Sequence, residues 1–335
     1  MDRKSFLSVL PGLAALSGYR PSEEGSLTQL PPFLKAGDII GFTSPAGYIS
    51  LDEVDPSRKL LNSWGYEVRI GDSIGRRDCT FGGTDEMRLV DLQQMMDDPK
   101  IACIMCARGG YGVNRILDQL DLTGIRKYPK WVIGFSDITA LHLHLFRNAH
   151  IASIHSKMCN SFPKEWEKAE PIVQDTILSI RNILEGNSIR YSAIPDSNNR
   201  FGESEGILVG GNLAIITSMM GTASEINTNG AILFVEEVGE YLYSIDRMFS
   251  TLHRSGKLSK LKGLIIGGFN RIKAEDPGDE FGRDLYDIVL SKAGGYGYPI
   301  CFGFPVGHQK NNYAIMHGRK HKLIISATET ILLQQ

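Results

Sequence analysis

The run Trp131-Val132-Ile133-Gly134-Phe135 stops at Ser136-Asp137, and from Ile138 the apolar residues fall at Ile138, Leu141 and Leu145. An apolar, β-branched run followed at once by helical spacing is a buried strand turning sharply into a helix. A strand buried on both faces needs a parallel sheet with helices on either side, so this stretch narrows the fold class more than any other. The chain before it follows the same rhythm. Residues 38–43 read as a strand, and Asp55-Pro56 opens a helix that Gly65 ends. Glu67–Ile70 is a second strand, Thr84 opens a helix to about Asp97, and Ile101–Cys106 is a third strand before the loop 107–112. A short helix to Gln119 leads into the fourth strand, 131–135. This alternation predicts an α/β domain with a three-layer parallel sheet, whose ligands bind outside the C-terminal ends of the strands. Ser136 and the loop 108–112 both lie at such ends.

At 335 residues the chain is long enough for two domains, and 42% apolar with 22% charged residues is ordinary for a globular protein with a full core. The expected division is a leader and linker to residue 32, an N-terminal domain over 33–165, a connecting helix (169–185) and linker over 166–204, and a C-terminal α/β domain over 205–335. In the last, strands are expected at 207–209, 232–235, 264–266 and 323–325, and helices at 212–220, 243–254 and 284–293. A net charge of −2 argues against nucleic acid as the main partner. The five cysteines, Cys79, Cys103, Cys106, Cys159 and Cys301, are too few and odd for a disulfide framework. Cys103 and Cys106 have CxxC spacing, but on a strand they face opposite ways and do not share a metal.

The N-terminus departs from this composition. Arg3 and Lys4 precede the apolar run from Phe6 to Leu16, and Ser17 and Gly18 follow. These are the charged, apolar and small regions of a signal peptide, too short to span a membrane as a mature helix. Export to the periplasm or medium, with a cut near Tyr19, is the expectation; an amphipathic N-terminal helix on a cytoplasmic protein is the alternative.

Ser136 on its strand-to-helix turn presents a hydroxyl beside the free N–H groups of a new helix, the setting of a nucleophile; equally, it serves as a helix cap. The usual G-x-S-x-G is incomplete, because Ile138 takes the place of the second glycine. The loop Arg108-Gly109-Gly110-Tyr111-Gly112 lacks the pattern of a P-loop or a dinucleotide fingerprint. It is either a tight turn or a close backbone approach to a reacting carbonyl, with Gly109 or Gly110 N–H and Asp137 N–H as two halves of an oxyanion hole. Among the eight histidines, His142 and His144 diverge on a helix and no HExxH exists, so zinc is poorly supported. His308 follows the strand-like 300–304 in a loop held by Pro305 and Gly307, a setting for a base or simply a surface residue. Glu236, Glu237 and Glu240 follow the buried run 231–235; Glu236, the first polar residue, suits the acid that orients a histidine, and a solvated acidic loop is the other reading.

Taken together, seven stretches resemble the LD-carboxypeptidase family of serine peptidases, which includes murein tetrapeptide carboxypeptidases and microcin C self-immunity peptidases. They are Thr43-Ser44-Pro45-Ala46, Phe81-Gly82-Gly83-Thr84-Asp85-Glu86 with Arg88 and Asp91-Leu92, Ala107-Arg108-Gly109-Gly110-Tyr111-Gly112, Gly134-Phe135-Ser136-Asp137-Ile138-Thr139, Gly210-Gly211-Asn212-Leu213, Phe234-Val235-Glu236-Glu237 with Ile245-Asp246-Arg247, and Pro305-Val306-Gly307-His308. Their order and spacing carry the resemblance from Ala36 to Gly318. It implies a Ser136–Glu236–His308 triad, an N-terminal domain carrying the serine, a smaller C-terminal domain carrying the other two, a site in the cleft between them, and homodimers. It implies no metal or organic cofactor, and a murein tetrapeptide losing its terminal D-Ala as substrate, or a peptidyl-nucleotide toxin amide in its place. Arg108 is a candidate for the terminal carboxylate, which a guanidinium matches bidentately. The chain departs from the family where it has His155-Ser156-Lys157-Met158 for His-Gly-Pro-Met, Gly82 for alanine, and Glu237 for aspartate; Lys157 is placed to alter substrate preference.

Overall fold

The computed structural model describes residues 28–335; the leader and its expected cut near Tyr19 lie outside them. The first half runs β1 (Ile39–Thr43), α1 (Leu51–Ser63), β2 (Glu67–Ile70), α2 (Asp85–Asp97), β3 (Ile101–Cys106), α3 (Thr123–Lys127), β4 (Trp131–Gly134), α4 (Thr139–His144), β5 (Ser153–His155) and α5 (Pro171–Leu184). The second half runs β6 (Arg190–Ala193), β7 (Gly202–Asn212), α6 (Leu213–Ser218), β8 (Ala231–Val238), α7 (Leu242–Arg254), β9 (Gly263–Asn270), α8 (Leu285–Ala293), β10 (Ile300–Cys301), β11 (Ile315–His317), β12 (Arg319–Ile325) and β13 (Thr330–Gln334). No helix among the described residues is long and apolar enough to cross a membrane.

Strand alternation builds the first sheet's three layers. Cys103 and Met105 of β3 pack with Val54 and Leu61 of α1 and Ile177 and Ile180 of α5. Ile104 and Cys106 face the other way, onto Leu92, Met95 and Met96 of α2. The two cysteines therefore do point to opposite faces, and all five are free. The sheet order is β11-β5-β4-β3-β1-β2, parallel except for β11. The second sheet, β10-β9-β8-β7-β12-β13-β6, is parallel from β10 to β7 and antiparallel beyond.

Three local expectations are revised. Helix α1 starts at Leu51, not at Asp55, because Ser50 and Glu53 form a capping box, and Pro56 is carried inside the helix. Residues 28–32, expected as linker, are fastened to the fold: Gln29 N–H donates to His150 O at 2.7 Å, and Trp131 Nε1–H to Pro32 O at 3.0 Å. The linker 195–200 is preceded by a strand, β6, that pairs with β13. Ile315–His317 returns from the C-terminal half to pair with Ser153–His155 of the first sheet.

That return buries a set of imidazoles between the sheets. His142 and His317 lie with ring centroids 6.0 Å apart, and His155 meets the Phe234 ring at 5.0 Å. Burial holds His142 and His321 down to about 4, and puts His155 and His317 well below the ordinary imidazole range; His144 is lowered as well. The unfolded rings take up protons near 6.5, so the unfolded state binds more protons below that pH. Stability is thus present above about pH 6.5 and lost as pH falls toward 4, with His142 and His321 each costing about 2 kcal/mol between pH 7 and 5. Asp137 and Glu237, whose carboxyls burial pushes up, run the opposite way but are two groups against five. Urea unfolding is expected to give a free energy lower by at least about 3 kcal/mol at pH 5 than at pH 7.5; equal values at the two pH values contradict neutral buried rings.

Candidate active site

The site is assembled where β4, β3 and β5 of the first sheet end against β7, β8 and the loop after β10. At the end of β4 the backbone is extended at Phe135 and switches to φ +62° at Ser136. A left-handed serine is a strained conformation that local structure must enforce. Here Ile138 does so by folding back on Gly134, where a Cβ would lie 2.7 Å from its Cγ2. The isoleucine in place of the second glycine is thus what packs the elbow. Ser136 stays partly exposed, while Asp137 beneath it is buried.

The glycine loop lies against this elbow. A Cβ on Gly109 would be 3.0 Å from Ser136 Cβ and 3.3 Å from its Oγ. Gly47 N–H donates to Gly109 O at 2.9 Å, and among the described residues no acceptor meets the N–H of Gly109, Gly110 or Asp137. Those three donors are where the oxyanion hole is expected. Asp137 also does something its sequence position did not suggest. Its Oδ2 accepts from Val113 N–H at 2.9 Å and so ties the loop to the elbow. Burial pushes its carboxyl up to about 6, opposed by the Val113 and Gly112 N–H groups and by the Arg88 charge. Arg88, fully buried, donates through Nη1 to Pro45 O and to Gly112 O at 2.9 Å, and pairs with Asp85. The Asp85–Arg88 spacing was visible in the sequence; its task of holding two loops at the site was not. Arg108 is on the rim, exposed, with Nη1 on Tyr48 O at 3.1 Å.

From the second sheet, Glu236 is fully buried on β8 and meets His308 twice, Nδ1 to Oε2 at 2.5 Å and backbone N–H to Oε2 at 3.2 Å. Gly307, at φ +99°, makes this possible: a Cβ there would lie 2.4 Å from Glu236 Cβ. With Nδ1–H on the carboxylate, Nε2 is left as the acceptor. Glu237 faces the other way, as strand alternation requires. Its carboxylate accepts from Asn212 Nδ2 at 3.0 Å, Ala214 N–H at 2.8 Å and Val238 N–H at 2.9 Å, closing the start of α6. The Glu240 carbonyl accepts from Lys273 N–H at 3.0 Å.

The two halves meet around Ser136. Asn212 N–H donates to Thr139 Oγ1 at 3.0 Å, with Gly211 bare against the Thr139 side chain. The Phe135 ring, next to Ser136, lies 4.9 Å from the His308 ring. No hydrogen bond joins Ser136 to His308 among the described residues; such bonds are often loose before substrate binds. His142 Nε2–H donates to Gly134 O at 2.9 Å and His144 Nδ1 is hydrogen-bonded to Ser224 Oγ at 2.8 Å, so these two histidines do diverge and neither joins the site.

A serine on a strained strand-to-helix elbow, free backbone donors at its side and a carboxylate-bound imidazole against the ring of the neighbouring Phe135 are the kind of site that serine hydrolases use. Residues 40–156 match the model of the LD-carboxypeptidase N-terminal domain and residues 205–323 that of the C-terminal domain. The chain belongs to the LD-carboxypeptidase family. It is 32% identical over 300 residues to a probable murein peptide carboxypeptidase of Bacillus subtilis, covering 88% of this chain and 91% of the relative. It is 27% identical over 308 residues to the microcin C7 self-immunity protein MccF of Escherichia coli, covering 82% and 87%. The crystal structure of muramoyltetrapeptide carboxypeptidase from Oxalobacter formigenes superposes with a TM-score of 0.79 at 27% identity, over 89% of this chain and 99% of that one.

Proposed function

We propose that this peptidase is a serine carboxypeptidase that cleaves an L,D-peptide bond, releasing the terminal D-Ala of a murein tetrapeptide. The observation that carries the reading is the hydrogen bond between buried Glu236 and part-exposed His308, set beside the Phe135–Ser136 elbow. Ser136 Oγ attacks the scissile carbonyl while His308 Nε2 takes its proton, and the same proton passes to the departing D-Ala nitrogen. Glu236 holds the imidazole tautomer and balances its charge. The N–H groups of Gly109 or Gly110 and of Asp137 hold the oxyanion. Water then attacks the acyl-enzyme through the same base. Arg108, on the rim, is the candidate for the substrate's terminal carboxylate.

The murein reading is supported by the relatives named murein peptide and muramoyltetrapeptide carboxypeptidase. Incubating the purified protein with a murein tetrapeptide is expected to yield free D-Ala and tripeptide. Cleavage of a peptidyl-nucleotide amide with the tetrapeptide untouched places it instead with the self-immunity relatives, and binding without turnover of either makes it a ligand-binding protein.

A further inference from the structure

Ser156-Lys157-Met158 leaves the end of β5 and crosses the site. The side chain of Lys157 is a half-buried ammonium. Lys157 Nζ donates to the Gln309 carbonyl at 2.6 Å and sits 5.9 Å from the centroid of the Phe135 ring. Burial lowers the ammonium to about 8, with the Glu236 charge opposing. A cation drawn out of water toward a carbonyl and an aromatic face has given up hydration, and its geometry shows what it holds.

Gln309 follows His308. The loop is tied to its own sheet, where Gly268 N–H donates to Val306 O at 2.9 Å, Asn270 Nδ2 to His308 O at 2.7 Å and Gln309 Nε2 to Phe304 O at 2.8 Å, and two residues past the imidazole Lys310 meets α5, its Nζ on Glu170 at 2.8 Å and its carbonyl accepting from Thr176 Oγ1 at 3.4 Å. Lys157 reaches across to it from the first sheet, one residue away from the imidazole. Phe135 completes the arrangement, with His308 4.9 Å from its ring and Lys157 within cation–π reach of it. We propose that Lys157 is a positioning residue for His308: its ammonium fastens the loop that carries the imidazole to the end of β5, the neighbour of the β4 end that carries Ser136, fixing the pose in which base meets nucleophile. This rests on the serine mechanism proposed above.

Small displacements of a base are costly, on the order of a hundredfold in rate for about 1 Å. Lys157→Met is expected to lower kcat for D-Ala release about 10- to 100-fold with KM within about threefold, and Lys157→Arg, which keeps charge and donors, to recover most of the loss. The ammonium meets the Gln309 carbonyl and the Phe135 ring, and the charge that acts on it is that of Glu236. As pH rises past about 8 the ammonium gives up its proton and holds the loop less firmly. The wild-type kcat therefore falls on the alkaline side, and that limb moves to higher pH in Lys157→Arg.

The test follows two readouts from pH 6 to 10 in wild type, Lys157→Met and Lys157→Arg: steady-state D-Ala release, and the rate at which a fluorophosphonate labels Ser136. The second needs no peptide. Slow labelling in Lys157→Met, recovered in Lys157→Arg, is the expected result. Unchanged labelling and kcat in Lys157→Met overturn the proposal. A KM at least tenfold higher with kcat unchanged also overturns it, by making Lys157 a contact for the substrate's carboxylate. If wild type is labelled but releases no D-Ala, the murein reading fails, and the labelling rates alone decide the role of Lys157.

Discussion

Ser136→Ala is expected to reduce D-Ala release by at least about ten-thousandfold, because the attacking oxygen is removed while every other contact of the elbow stays. The loss should fall on kcat, with substrate binding retained. The same residue offers a second, opposite readout. Ser136 sits at φ +62°, a conformation that costs a non-glycine residue about 1–2 kcal/mol. Ser136→Gly removes that strain along with the hydroxyl, so it should be inactive yet melt higher than Ser136→Ala. Activity within about tenfold of wild type in either variant sinks the serine mechanism. A glycine variant no more stable than the alanine variant means that the elbow is not strained.

The second large effect concerns the acid. Glu236→Gln is expected to lower kcat at least about a hundredfold with little change in KM. An amide facing His308 Nδ1 can hold the wrong tautomer, and it cannot balance an imidazolium. Glu237→Gln should behave differently. Its carboxylate accepts from three donors at the start of α6, and an amide puts an N–H among them. The expected outcome is a loss of stability of about 1–3 kcal/mol, read as a lower melting temperature, with kcat within about tenfold of wild type. Should Glu237→Gln prove the inactive variant and Glu236→Gln the active one, the pairing of Glu236 with His308 does not serve the chemistry.

The strands at 131–135, 101–106, 67–70, 231–235 and 264–266 were legible because each is a local apolar run whose period is its own signal. So was the elbow at Ser136, where a strand period gives way to a helical one within two residues. The start of α1 was misplaced because Asp55-Pro56 is also a sound helix opening; the Ser50–Glu53 box three residues apart is the signal that decides it. Strand alternation separated Glu236 from Glu237 but did not say which meets the histidine; that rested on Glu236 being the first polar residue and on the resemblance, and the structure puts Glu236 on His308 and Glu237 on the start of α6. Other roles had no local signal. Asp137 read as a backbone donor, and its carboxylate turns out to tie down the glycine loop. Arg88 read as one residue of a helix, and it holds the carbonyls of Pro45 and Gly112, 43 and 24 positions away.

By itself, then, the sequence determined the α/β class, the strand ends that carry Ser136, Glu236 and the glycine loop, and the residue types able to act there. These depend on spacing within a dozen residues, where hydrophobic period and turn chemistry leave few alternatives. The tertiary structure decided which of those ends meet. The return of Ile315–His317 to the first sheet, the seating of Gly211 on Thr139 and the reach of Lys157 to Gln309 join residues more than seventy positions apart. Such contacts depend on how two sheets pack, and packing is set by the shape of the whole core rather than by the pattern of any one segment.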